Sequence, residues 1–146
     1  MDKLFHFDSP REHYLADACV IGCYDARFDL AVRKFLKRSG IAIYDQVKIP
    51  GSAKALAAPE CDRDRDFVLG MVRISMRLHG ARRVLLIGHN ECGAYGGAPA
   101  EAIVADLFRA AAVLLAAEPS LAVECYFADF DGIYQCGPAA AATMAP

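Results

Sequence analysis

Two short segments of the sequence combine cysteine and histidine at spacings that suit a metal ion. Cys23 lies in the segment CYDAR, and His89 and Cys92 lie in the segment HNEC. Two thiolates and one imidazole favour zinc, because soft sulfur ligands disfavour magnesium and calcium. Three protein ligands leave the fourth position to Asp25 or to water, which is the pattern of a catalytic rather than a structural zinc site.

Asp25 and Arg27 lie two residues apart, directly after the first of these cysteines. A carboxylate beside a guanidinium stays ionised and is held in a fixed orientation. Such a carboxylate can accept a hydrogen bond from water on zinc, whose pKa the ion lowers to about 7. We therefore predict that Asp25 and Arg27 are catalytic residues and that the nucleophile is derived from water.

The elements that must position these residues alternate between strands and helices. Apolar runs predict strands at residues 16–23, 41–49, 83–88 and 121–129. Helical spacing of apolar residues predicts helices at residues 28–38, 62–79 and 98–118. This alternation predicts an α/β fold, a three-layer sandwich with a mainly parallel sheet of four strands in the order 2-1-3-4. A short antiparallel edge strand is expected at residues 133–136.

Parallel sheets of this kind bind ligands outside the carboxyl ends of their strands. The first predicted strand ends at Cys23 and the third ends beside His89. Strands 1 and 3 are neighbours in the order 2-1-3-4, about 4.8 Å apart. The sequence therefore predicts that the two segments meet at one edge of the sheet.

The length of 146 residues suits one domain. We expect an N-terminal arm at residues 1–16 with a short helix at 10–16, a zinc domain at 17–137 and a disordered tail at 138–146. Residues 50–59 are predicted to form a loop. His79 is interpreted as a helix-end residue, and Cys19, Cys61, Cys125 and Cys136 as packing residues.

Composition excludes several classes of protein. A net charge of −2 argues against a nucleic-acid binder, and a hydrophobic content of 55% argues against general disorder. No apolar stretch is long enough for a transmembrane helix, and the first residues do not resemble a secretory signal. We therefore expect a cytoplasmic protein, in which cysteines serve as free thiols or metal ligands rather than as a disulfide framework.

The two segments resemble those of the β-class carbonic anhydrases. CYDARFD is similar to that family's CMDARLD-like segment and GHNECG to its HTDCG-like segment, within a resemblance that covers about residues 17–136. It implies zinc bound by Cys23, His89 and Cys92, with Asp25 either paired to Arg27 or itself bound to zinc in a closed form. It also implies a lyase that hydrates carbon dioxide reversibly to bicarbonate by zinc-bound hydroxide, as a homodimer or higher homo-oligomer.

One segment departs from the family pattern. An Arg-Asn-Ala-Gly-like stretch usually follows the second strand, whereas this chain has KIPGS at residues 48–52. Gly51 and Gly93 are predicted to line the pocket for a small-molecule substrate. The departure motivates two alternatives: a zinc hydrolase of carbonyl sulfide or carbon disulfide, and a zinc-binding protein without catalysis. A cysteine-based redox protein is a further alternative, which His89 beside the two thiols disfavours.

Overall fold

The structure is a computed structural model that describes residues 1–137, so the predicted disordered tail at 138–146 lies outside the described residues. Five strands alternate with four α-helices in this part of the chain. In chain order the elements are β1 (Ala18–Gly22), α1 (Ala26–Arg38), β2 (Tyr44–Lys48), α2 (Lys54–Ala57), α3 (Asp62–His79), β3 (Arg83–His89), α4 (Ala100–Ala117), β4 (Ala122–Ala128) and β5 (Ile133–Cys136). A single 3-10 turn at Gly93–Tyr95 precedes α4.

The five strands form one sheet in the order β2-β1-β3-β4-β5. The first four are parallel, and β5 pairs antiparallel with β4. In the centre of the sheet, Val20 of β1 lies between Gln46 of β2 and Leu85 of β3. The predicted α/β fold, strand order and antiparallel edge strand are therefore confirmed.

Helices cover both faces of the sheet. On one face, alternate residues of β1 and β3, such as Ile21 and Leu86, pack in a buried cluster with Val72 of α3 and Leu107 of α4. The other set of alternate residues packs in a second cluster with Leu36 of α1. Burial on both faces explains why the strands are continuous apolar runs.

The predicted short helix at residues 10–16 is wrong, because this segment has no helical structure. It lies instead along the end of α3, where the Ala16 N–H donates to the His79 carbonyl at 2.9 Å and His13 Nε2 contacts the Leu78 carbonyl at 2.8 Å. These bonds to another element replace the bonds within a helix.

The predicted loop at residues 50–59 contains the short helix α2. The helix follows a turn in which Gly51 has a φ of 72° and Ser52 a φ of 51°, both in the left-handed region. Leu56 of α2 is fully buried in the cluster that contains α3 and α4. Burial of this one side chain accounts for a helix too short to be stable alone.

Among residues 1–137, no helix combines the length and the apolar character that crossing a lipid bilayer would require.

Candidate metal centre

The carboxyl ends of β1 and β3 bring together the two segments that carry the candidate metal ligands. β1 ends at Gly22, which pairs with Ile87 of β3, so Cys23 and His89 follow at the same edge of the sheet. Cys92 turns back toward them through a loop in which Glu91 has a φ of 51°. The ligating atoms of Cys23, His89 and Cys92 all lie within 4.8 Å of one another, and the two sulfur atoms are 4.0 Å apart.

His89 is oriented as metal-binding histidines are. Its ring is buried, and its Nδ1 lies 2.8 Å from the Asn90 carbonyl. A carbonyl only accepts, so Nδ1 carries the proton and Nε2 presents its lone pair. Nε2 is buried and has no hydrogen-bond partner among the described residues. A buried polar atom without a partner is costly, and a metal ion held with the two thiols would supply one.

The two thiols differ in acidity. Burial raises the pKa of Cys23, but the His89 imidazole and the backbone N–H groups of Gly51 and Asp25 outweigh it and lower this pKa to about 7. Burial raises the pKa of Cys92, and a negative charge on Cys23 raises it further. A divalent cation between the sulfur atoms would remove this repulsion, so the donor set fits zinc.

The Gly51–Ser52 turn supports both sulfur atoms. The Gly51 N–H faces Cys23 and Cys92 and lowers the pKa of both thiols. The buried Ser52 hydroxyl anchors the turn by donating to the Ile21 carbonyl at 3.1 Å. A Cβ atom at position 51 would lie 3.2 Å from the Cβ atom of Ala94. The KIPGS segment thus differs from the family pattern but keeps a glycine whose backbone faces the thiols.

Gly93, the other predicted pocket glycine, is exposed. It begins the 3-10 turn after Cys92, and its carbonyl accepts the Gly96 N–H at 3.1 Å. Its predicted contribution to a substrate pocket stays a prediction.

Asp25 and Arg27 form a charge pair at the start of α1. The Asp25 carboxylate caps the helix by accepting a hydrogen bond from the Arg27 backbone N–H at 3.0 Å. It also accepts hydrogen bonds from the Arg27 guanidinium, from Nε at 3.1 Å and from Nη2 at 2.8 Å. These bonds lower the pKa of Asp25 to about 2. Its Oδ2 lies 4.0 Å from Nε2 of His89. In this structure Asp25 is therefore an ionised partner of Arg27 beside the three candidate metal ligands.

Glu91 is a second partner of the guanidinium that sequence reasoning missed. Arg27 Nη1 lies 3.4 Å from Oε2 of Glu91, and Arg27 Nη2 donates to the Glu91 carbonyl at 3.2 Å. The position of Glu91 between His89 and Cys92 was the sequence signal that could have indicated a role near the site. Arg27 thus links the loop of β3 to the start of α1.

A small cavity of about 30 Å³ opens beside the cluster. Its lining includes Cys23, Asp25 and His89 together with the apolar side chains of Phe28, Ile87 and Ala128. The Phe28 ring lies 4.7 Å from the His89 ring, and the Phe130 ring lies 5.4 Å from Phe28. No local sequence pattern indicates the contact between these two rings, because Phe130 is about a hundred residues from Phe28. The cavity combines these apolar side chains with two carboxylates, Asp25 and Asp29, and with Gln46 and Lys48.

The fold is that of the β-class carbonic anhydrases. A carbonic anhydrase from Streptococcus mutans matches with a TM-score of 0.64 at 14% identity, over 90% of this chain and 89% of that one. One of two tetrameric β-carbonic anhydrases from Sordaria macrospora matches with a TM-score of 0.52 at 13% identity, over 85% and 82% of the respective chains. At these identities the likeness concerns the fold.

Sequence comparison gives the family. The family described as "Putative carbonic anhydrase" matches residues 15–135, and the chain belongs to it. An uncharacterized protein from Rickettsia bellii is 26% identical over 98 residues, which are 64% of this chain and 60% of the relative. The match therefore spans less than two thirds of that relative's length.

Proposed function

We propose that the protein is a zinc-dependent lyase that hydrates carbon dioxide reversibly to bicarbonate. The observation that carries the proposal is the cluster of Cys23, His89 and Cys92, whose ligating atoms lie within 4.8 Å of one another beside an ionised Asp25. The family of the chain supports the same reaction class.

Each residue of the site has a defined task in this proposal. Cys23, His89 and Cys92 would hold zinc, which when bound supplies Lewis-acid activation of water near neutral pH. Asp25 accepts a hydrogen bond from the reacting water and orients it toward the substrate, and Arg27 fixes Asp25 by two guanidinium bonds. The apolar side chains of Phe28, Ile87 and Ala128 in the cavity wall suit a small substrate without charge, because these three side chains offer it no hydrogen bonds.

Stopped-flow hydration of carbon dioxide by the zinc-loaded protein tests the proposal. We expect Asp25→Asn to lower kcat/KM by about 100-fold or more, since a positioned proton acceptor contributes at least this much. Asp66→Asn is the matched control, because Asp66 is an exposed carboxylate on α3. Hydration no faster than in buffer, by protein with stoichiometric zinc, would contradict the proposal.

A zinc hydrolase of carbonyl sulfide or carbon disulfide is the second candidate. The KIPGS segment favours it. Pro50 has no N–H, and the Gly51 N–H faces the two thiols, whose pKa it lowers, rather than a substrate oxygen. Release of sulfide from either compound, without hydration of carbon dioxide, would support this reading. Stoichiometric zinc with neither activity would support a zinc-binding protein without catalysis.

We also propose a homodimer or higher homo-oligomer in the cytoplasm, without nucleic-acid partners. The relatives from Sordaria macrospora are described as tetrameric. Leu4, Phe5 and Phe7 of this chain are exposed on the N-terminal segment, where a second copy could cover them. Sedimentation of the full chain and of a variant with these three residues replaced by serine would measure the contribution of the segment.

A further inference from the structure

Two cysteines outside the candidate metal centre face each other across the edge of the sheet. Cys125 of β4 and Cys136 of β5 are directly opposed partners in the antiparallel pair. Both side chains lie on the face covered by α4: the Cys125 sulfur is 3.5 Å from the Leu107 carbonyl, and Cys136 packs against the same buried cluster. The two sulfur atoms are therefore on the same side of the sheet.

The hydrogen bonds of the hairpin fix the spacing of this pair. Asp129 and Gly132, next to the turn, exchange both backbone bonds, with N–O distances of 2.8 and 3.4 Å. Bonded and non-bonded pairs alternate along an antiparallel ladder, so Cys125 and Cys136, four positions further on, are again a bonded pair with Cα atoms about 5.5 Å apart. Disulfides usually join Cα atoms about 4.4–6.8 Å apart, and this pair falls within that range.

Closure of the bond requires β5 to move toward β4 by about 1–2 Å. Opposed Cβ atoms of a bonded antiparallel pair lie near the upper end of about 4.5–5.5 Å, and a disulfide holds them about 3.5–4.5 Å apart. β5 is an edge strand of four residues with β4 as its one neighbour, so it can move toward β4 without disturbing another strand. The remaining strain would make the bond easier to reduce.

We propose that Cys125 and Cys136 form a reversible disulfide when the protein meets a low-molecular-weight disulfide as oxidant. The half-buried Cys136 thiolate attacks one sulfur of the oxidant and releases one thiol. The buried Cys125 thiolate then attacks the mixed disulfide at Cys136 and releases the second thiol. Two protein thiols become one disulfide, the oxidant is reduced to two thiols, and the two protons go to the released thiolates.

The chemistry of these thiols sets the rate. Burial raises the pKa of Cys136 and raises the pKa of Cys125 to about 11, where the neighbouring Cys136 adds to the effect. The thiolate fraction is small at neutral pH, so we expect oxidation to be slow and to accelerate as the pH rises.

Peptide mapping of the zinc-loaded full chain tests the proposal. The protein is incubated with oxidised glutathione, its remaining thiols are alkylated, and it is digested with trypsin. No lysine or arginine follows Arg109, so residues 110–146 form one peptide, and Cys125 and Cys136 are its only cysteines. We expect this peptide to lose the mass of two hydrogen atoms and both alkylation sites, and dithiothreitol to restore them.

Two variants serve as controls. Cys61 is exposed, and Cys61→Ser should leave the oxidation of peptide 110–146 unchanged. Cys136→Ser should abolish it. A peptide that keeps two alkylated cysteines while Cys61 carries glutathione would overturn the proposal, as would a stable glutathione adduct at Cys136 without closure. A disulfide that joins tryptic peptide 12–27 to tryptic peptide 84–109, while peptide 110–146 keeps both thiols, would assign the oxidation to Cys23 and Cys92 instead.

Discussion

Replacement of Gly51 by alanine tests whether the Gly51–Ser52 turn supports the two thiols of the candidate metal centre. An alanine in the left-handed region is destabilised by about 1–2 kcal/mol. Its Cβ atom would also lie 3.1 Å from the Cβ atom of Lys54 and 3.2 Å from that of Ala94, both tighter than an ordinary contact. The turn must therefore move, and the Gly51 N–H moves away from the sulfur atoms.

The loss can be expressed as zinc affinity. A hydrogen bond to a charged group contributes about 1.5–3 kcal/mol. If the Gly51 amide stabilises the thiolates by one such bond, its displacement should lower zinc affinity by roughly 10- to 100-fold, at 1.4 kcal/mol per tenfold. Competition with a chromophoric chelator measures this affinity, and urea unfolding of the zinc-free protein measures the stability lost to strain.

Gly40→Ala is the matched control. Gly40 follows α1 with a φ of 75°, and no atom lies within 4 Å of the position of its Cβ. Both variants should lose about 1–2 kcal/mol of unfolding free energy, because both place alanine in the left-handed region. Only Gly51→Ala should bind zinc more weakly. Equal zinc affinity in the two variants and the wild type would refute the role assigned to the Gly51 amide.

Three further predictions concern the framework. Gly88→Ala places a Cβ atom 2.8 Å from Cγ2 of Ile103 and should lower the unfolding free energy by about 1–3 kcal/mol. Gly22→Ala is the control, because no atom lies within 4 Å of its Cβ position and its unfolding free energy should not fall. Urea titrations compare the two variants. Asp45→Asn should lose about 1–3 kcal/mol at pH 7 in the same assay, because the Asp45 carboxylate accepts hydrogen bonds from three side chains, including His79 at 2.8 Å. Burial raises the pKa of Asp45, but these hydrogen bonds outweigh burial and hold the pKa below its usual value. The carboxylate therefore stabilises the fold above about pH 4. This contribution is lost as the pH falls through the lowered pKa. The gap between wild type and Asp45→Asn should therefore narrow in acid, and a gap that stayed constant down to pH 2 would count against this pairing.

Local signals predicted some elements closely. The helix predicted at 62–79 is observed as Asp62–His79, with acidic residues in its first turn and Gly80 in the left-handed region after its end. The strand predicted at 41–49 is shorter, at Tyr44–Lys48. The Asp17 carboxylate accepts the N–H groups of Ala42 and Ile43, and this contact across 25 residues has no local signature.

The candidate metal centre was likewise predictable from the sequence only in part. The meeting of Cys23 with His89 followed from strand order, because parallel strands end at a common edge. The Gly51 amide on the sulfur atoms and the Glu91 contact with Arg27 depend on backbone conformation in loops, including two non-glycine residues with positive φ. Likewise, the bonds of His79 to Asp45 join residues 34 positions apart, so this residue is more than the helix end that the sequence suggested.

The pairing of Asp25 with Arg27 has a consequence for how the site assembles during folding. The pair closes within the first turn of α1, across two residues, whereas Cys23 and Cys92 are brought together across 69. Ordering so short a loop forfeits little chain entropy, and the cap favours the costly first turn of the helix. The orientation of the carboxylate therefore depends on the first turn of α1 and not on the distant half of the chain. Substitutions of cavity-wall residues such as Ile87 or Ala128 should therefore leave the Asp25–Arg27 pair in place.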